Sequence, residues 1–140
     1  MLMRLLYVSR STTPEKDETE SILVASRRNN PPIGITGILC YGGGIYLQAI
    51  EGGRHSVNTL FSKIMRDPRH HDVELLHYEE IRERRFGGWT MGQVNLAKVN
   101  ASIVLKYSPL PELDPYSVPG MVSLALLEEL MASACIMGRA

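Results

Sequence analysis

This chain of 140 residues is short of the residue types that most readily declare a function: it has 2 cysteines, 2 phenylalanines and 1 tryptophan. It also lacks an excess of charge of either sign, with 15 lysines and arginines against 15 aspartates and glutamates. A balanced charge gives no support for nucleic-acid binding or for attraction to an anionic membrane. Cys40 and Cys135 have no C-x-x-C spacing, which excludes the common zinc and redox motifs. Two buried thiols in a reducing cytoplasm are expected rather than a disulfide. The longest apolar run, Met121 to Leu127, is too short to span a bilayer. No secretory leader is expected, because Arg4 is followed only by a short strand-like run. No G-x-G-x-x-G follows a strand and no P-loop lysine motif is present. His70 and His71 are adjacent, so on an extended segment they point opposite ways. With no third ligand near in sequence, no metal site is expected. Ser9 and Ser11 have no base partner that would make a triad.

What is present points to one domain, large enough to bury a core without staples. Leu2 to Ser9 reads as a strand with Leu5, Tyr7 and Ser9 on one face. A loop containing Pro14 leads to a helix over about Lys16 to Arg28, with Thr13 or Asp17 as its cap. Asn29 and Asn30 stop that helix before Pro31 and Pro32. Ile35–Tyr41 and Ile45–Glu51 read as a hairpin turned by Gly42-Gly43-Gly44, and Glu51-Gly52-Gly53 reads as the break after it. Val57, Leu60, Phe61 and Ile64 give a second helix, about Ser56 to Met65, ended by Asp67-Pro68. Strands follow at Asp72–Ile81 and Thr90–Leu96. The order is βαββαββ, which predicts an α+β, ferredoxin-like fold with two helices on one face of a mixed sheet. Residues 1–98 form the expected main domain and residues 99–140 an extension. The extension has prolines at 109, 111, 115 and 119 and an apolar helix over Met121–Met137. That helix is expected to cover the second face of the sheet and to offer a coupling surface.

Gln48 is the oddity, because its same-face neighbours Tyr46 and Ile50 leave an amide on an apolar surface. A buried amide needs partners. Tyr7 sits centrally in the first strand, and if the two strands are neighbours a phenol and an amide meet under the helices. Ile22 and Ile64 project from the helices, and Asn29 and Asn30 lie at the rim. The set describes a flat slot suited to a planar heteroaromatic ring with carbonyls and an N–H. Each feature also has an ordinary structural reading: a buried Tyr–Gln pair, core isoleucines and a helix terminator. A small ferredoxin-like hydrolase of acylphosphatase type, using an arginine and Asn30, is the alternative.

The residues Leu6-Tyr7-Val8-Ser9, Asn29-Asn30, Gly34-Ile35-Thr36-Gly37-Ile38-Leu39-Cys40-Tyr41, Gln48 and Glu51-Gly52 carry a resemblance to the BLUF family, blue-light receptors that bind flavin. Arg66-Asp67, Arg69-His70 and Arg85-Phe86-Gly87-Gly88-Trp89-Thr90-Met91 extend it, over about residues 2–96. The resemblance implies FAD as cofactor and a photoreceptor rather than an enzyme. It implies that Tyr7 is the photoactive tyrosine and Gln48 the switch glutamine, with Trp89 and Met91 beside it. Asn30, and at a more variable position Asn29, would meet the ring. Ile22 and Ile64 would sandwich it. Ser26, Lys63, Arg66, Asp67 and His70 would meet the ribityl and phosphate tail. The resemblance further implies that after blue-light absorption Tyr7 would give up an electron and a proton, and the Gln48 carboxamide would rotate or tautomerise. A new donor would then face the flavin carbonyl and absorption would shift to the red. Because the chain shows no catalytic or DNA-binding unit, its output is expected to pass to a downstream protein partner, without nucleic acid or membrane, and an open sheet with an apolar helix is compatible with a homodimer.

Overall fold

The structure is a computed structural model, and it describes residues 1–13, 19–88 and 90–132. Five strands form one sheet: β1 (Leu2–Ser11), β2 (Thr36–Gly42), β3 (Ile45–Gly53), β4 (His70–Ile81) and β5 (Gly92–Asn95). Their spatial order is β4-β1-β3-β2-β5. The first four neighbours pair antiparallel, and β5 runs parallel to β2 at the edge. Two longer helices, α1 (Thr19–Asn29) and α2 (Arg54–Met65), connect the strands. A short α3 (Ala101–Leu105) and a longer α4 (Gly120–Ala132) follow the sheet. This is the α+β, ferredoxin-like arrangement that the element order implied.

Local chemistry fixes the elements. Gly43 and Gly44, at φ 59° and 77°, form the two-residue turn between β2 and β3. Both positions lie in the left-handed region that side chains disfavour, and the turn's twist matches that of the strands it joins. Glycine at 37 answers a different need, since a Cβ there would lie 2.1 Å from the Ala49 carbonyl oxygen. α1 ends at Asn29, the Asn30 N–H still reaching Ser26 O at 2.9 Å, and Pro31–Ile33 make one 3₁₀ turn. Of the two caps expected at its start, only Thr13 is among the described residues. Thr13 Oγ1 is buried without a partner among the described residues, and Asp17 lies outside them.

The sheet has two apolar faces. On one, Met3, Leu5, Tyr7, Leu39 and Ile50 pack with Leu23 of α1 and Val57 of α2. On the other, Leu6, Val8, Ile38, Leu47 and Val94 meet Leu124, Leu126, Leu127 and Leu130 of α4. Removing such a leucine from water contributes about 1.5–3 kcal/mol. α4 therefore covers the second face as expected, and Met121 is its one large exposed apolar side chain among the described residues. Its described leucines thus face the sheet.

The extension is pinned to the sheet edge as well. Tyr116 Oη donates to the Asp72 carbonyl at 2.6 Å, and the Arg10 guanidinium lies 4.3 Å over the Tyr116 ring. Asp72 has φ 51°, close to where the β1–β4 register slips between Val8 and Arg10. The sequence reading left residues 96–105 without helix, yet Asn95 and Asn100 each cap a short turn, accepting from Ala97 N and Ser102 N. No helix among the described residues is long and apolar enough to cross a membrane. The Trp89 position and Cys135 lie outside the described residues.

One polar cluster departs from the sequence reading. Glu51 does not end β3, which continues to Gly53, and its carboxylate is fully buried. It pairs with Arg4, its cross-strand neighbour, at 2.7 Å. It also accepts from the backbone N–H of Arg85 at 3.1 Å and of Phe86 at 2.6 Å. Arg4 reaches Glu79 at 2.6 Å as well. Glu51→Ala leaves a buried guanidinium short of a partner and two N–H groups unsatisfied. The loss expected is about 3–5 kcal/mol, read from urea unfolding of the two proteins. A change under about 1 kcal/mol would show that water takes over the role of the carboxylate.

Candidate functional site

Tyr7 and Gln48 are directly opposite each other in the β1–β3 register. Both side chains face α1 and α2, and both are almost fully buried. The Tyr7 hydroxyl donates to Gln48 Oε1. Gln48 Nε2 donates to the Met91 sulfur at 3.2 Å. The hydrogen-bonded chain thus runs from phenol through carboxamide to an accepting thioether, reaching across the sheet from β1 to the entrance of β5. Sulfur is a weak acceptor, so the amide nitrogen is held without being strongly satisfied.

Burial first, then the Asp67 carboxylate and the Tyr46 phenol, push the Tyr7 pKa well above its ordinary value, with Arg69 opposing. Tyr7 is therefore a neutral donor throughout the physiological range. Its ring lies 5.6 Å from that of Phe61 and stands edge-on to His70 at 6.3 Å. His70 bridges two elements, with Nδ1 2.8 Å from Ser9 Oγ and Nε2 on the Ile64 carbonyl.

A cavity of about 480 Å³ opens over this floor between α1 and α2. That is the size of a small-molecule cleft, about 300–1,000 Å³. Tyr7, Ile22, Ser26, Asn29, Asn30, Gln48, Lys63, Ile64, Asp67 and His70 all line it. Of the residues read from the sequence, Arg66 does not reach the cavity wall, and it is exposed at the end of α2. Met91 is fully buried behind Gln48. Tyr46, Leu39 and Arg69 also line the cavity and were not assigned to it from sequence. Alternation along β3 puts Tyr46 on the Gln48 face, and strand pairing puts Leu39 opposite Gln48, so both carried a usable signal. Arg69 pairs with Asp67 at 2.6 Å and reaches Ser21 Oγ at 3.2 Å, closing the mouth between α1 and the start of β4. The hydrogen bond from Arg69 holds the Asp67 carboxyl below its ordinary pKa.

The donor set fits a planar group with acceptors and an N–H. Asn30 is 2% exposed and its carboxamide makes no hydrogen bond among the described residues, although it borders the cavity. An amide buried in that way calls for a partner of mixed donor and acceptor character. Ile22 and Ile64 add apolar walls to either side. No group of three or more His, Cys, Asp or Glu suited to a metal occurs among the described residues.

Relatives of known kind share this framework. The family described as "Sensors of blue-light using FAD" matches residues 2–92. The photoactivated adenylate cyclase subunit beta of Euglena longa is 36% identical over 92 residues, covering 64% of this chain and 11% of that protein. The chain thus spans about a tenth of the length of the curated relative. Among solved structures, BlsA in its photo-activated state aligns with a TM-score of 0.83 at 28% identity, over 94% of this chain and 95% of that one. The dark-state structure of the BLUF protein BlrB aligns with a TM-score of 0.76 at 33% identity, over 95% of this chain and 96% of that one. With a matching sequence pattern, sheet and cavity, the chain belongs to the BLUF family of flavin-binding blue-light photoreceptors.

Proposed function

We propose that this chain is a light switch built on FAD, in which Gln48 reverses its hydrogen bonds and passes the change through Met91 to a partner protein. The observation that carries the reading is the chain from Tyr7 through Gln48 to the Met91 sulfur along the floor of the cavity. Asn30 and Asn29 would meet the ring edge. Ile22 and Ile64 would flank it, and Ser26, Lys63, Asp67 and His70 would meet the tail. Bound flavin supplies blue-light absorption and an excited state able to accept an electron.

The protein's part follows from its own atoms. Tyr7 is the oxidisable group. Because its O–H already points at Gln48 Oε1, a proton lost with an electron has a path along that bond. The Gln48 carboxamide has one accepting end and one donating end. Turned over, it would place Nε2 against the Tyr7 oxygen, which accepts, and Oε1 against the Met91 sulfur, which has no proton to give. The turned form therefore loses the Met91 bond and crowds two lone-pair atoms. Met91 must yield, and the change emerges at β5, a two-state event of local hydrogen bonding.

The chain acts in this reading as a sensor without catalysis of its own, and cyclase activity belongs to the Euglena relative. Residues 1–98 form the flavin-binding domain and residues 99–140 its extension. The output is a protein partner in the cytoplasm, in keeping with the buried free thiol of Cys40. A second copy of the chain is a further candidate partner, which sedimentation would count.

Two outcomes are expected. Purified protein with FAD shifts its visible spectrum reversibly to the red under blue light, and chromatography of the released cofactor identifies FAD rather than FMN. Tyr7→Phe keeps the flavin and loses the shift; a normal photocycle in that variant removes Tyr7 from the mechanism. The second outcome concerns pH. Tyr7 ionises near 10.0 in the unfolded chain but stays protonated in the fold. The folded state then binds more protons, so stability is complete below that value and falls as pH rises above it. Urea midpoints taken from pH 8 to 11 should decline more gently in Tyr7→Phe than in the parent protein.

A further inference from the structure

The Met91 segment is fastened at both ends. Upstream, the Glu51 carboxylate accepts from Arg85 N and Phe86 N, while Arg84 donates to Gly34 O at 2.7 Å and Thr36 Oγ1 at 2.9 Å. Downstream, Gly92 enters the ladder opposite Ile38. Met91 itself makes two hydrogen bonds to groups outside the segment. Its sulfur accepts from Gln48, and its carbonyl accepts from Nη2 of Arg27 at 3.2 Å.

Arg27 lies in the last turn of α1. It directly follows Ser26 and precedes Asn30 by one helical turn, and both of those line the cavity, whereas Arg27 does not. Its guanidinium therefore links the helix that walls the cavity to the residue that fixes the amide of Gln48. A charged donor on a carbonyl is stronger than a neutral one, and the planar fork loses little freedom in making the bond.

We infer that Arg27 is a positioning residue of the switch: its hydrogen bond to the Met91 carbonyl holds the Met91 sulfur where Gln48 Nε2 reaches it. The inference rests on the reading of Tyr7 and Gln48 as the photoactive pair. It has a direction. With Arg27 in place, Met91 yields to the turned carboxamide only against the pull of that bond, and the pull drives the return to the starting arrangement. Without Arg27 the pull is weaker and the turned form lasts longer.

The test uses the full chain loaded with FAD. Arg27→Ala should keep its flavin and its red shift but return in the dark roughly three- to tenfold more slowly, the size expected for one partly exposed hydrogen bond. Arg27→Lys should recover part of the rate. Met91→Leu removes the sulfur, so adding Arg27→Ala in that background should change nothing further. An unchanged rate in Arg27→Ala, or an equal slowing with and without the Met91 sulfur, overturns the inference. A light-independent arm separates this from failure of the photoswitch itself. In dark protein the Met91 methyl NMR resonance, assigned through Met91→Leu, should move in Arg27→Ala and return toward its position in Arg27→Lys. A methyl resonance indifferent to Arg27 overturns the inference even if the photocycle is normal. A parent protein that does not respond to light overturns the reading of Tyr7 and Gln48 instead. Arg27→Gln, with a matching urea midpoint, serves if the alanine variant folds poorly.

Discussion

The cross-strand pair of Tyr7 and Gln48 is the constraint on which the rest depends. A phenol and a carboxamide can share a proton path only if their strands are neighbours and their register is right. A slip of one residue would put Gln48 on the far face, beneath α4 and away from the cavity. The tight glycine turn between β2 and β3 helps set that register locally. The Arg4–Glu51 pair fixes it again three rungs further along β1 and β3. The buried ion pair and the switch thus use the same two strands on opposite faces. This gives the charged pair a role in alignment that its net energy alone would not justify.

Much of this was legible in the sequence, and the reason is periodicity. Alternation placed Tyr7 and Gln48 on apolar strand faces, and the Asn-Asn-Pro-Pro stop marked the end of α1. Helical spacing put Ile22 and Ile64 on the cavity side. Family membership then set aside the hydrolase alternative in favour of a flavin-binding photoreceptor. The features that were not legible depend on separation along the chain. Arg4 and Glu51 are 47 residues apart, and unlike Tyr7 and Gln48 neither stands out locally as a polar group midway along an apolar strand face. Glu51 beside two glycines reads locally as a strand end. Only the arriving backbone of Arg85 and Phe86 explains why a carboxylate is buried there. The short turns after β5 escaped for the opposite reason, since each depends on a single asparagine cap within a polar stretch.

The C-terminal segment takes the place its composition implied. A sheet with both long helices on one face leaves the other bare, and an apolar helix is the natural cover. Here its leucines fill the second face of the sheet, and Tyr116 ties the preceding loop to the β4 edge. The described part of the extension packs on the same sheet that floors the cavity. The helices over the cavity and α4 read opposite sides of the same five strands.

The parallel edge strand β5 has four residues and, among the described residues, pairs with β2 alone. Its outer rim makes no ladder, so lifting or sliding it sacrifices a handful of backbone bonds while the antiparallel platform stays whole. Motion there is cheap compared with global unfolding. A photoreceptor of this shape can therefore signal by remodelling its margin, leaving the chromophore chamber rigid enough to reset and be used again.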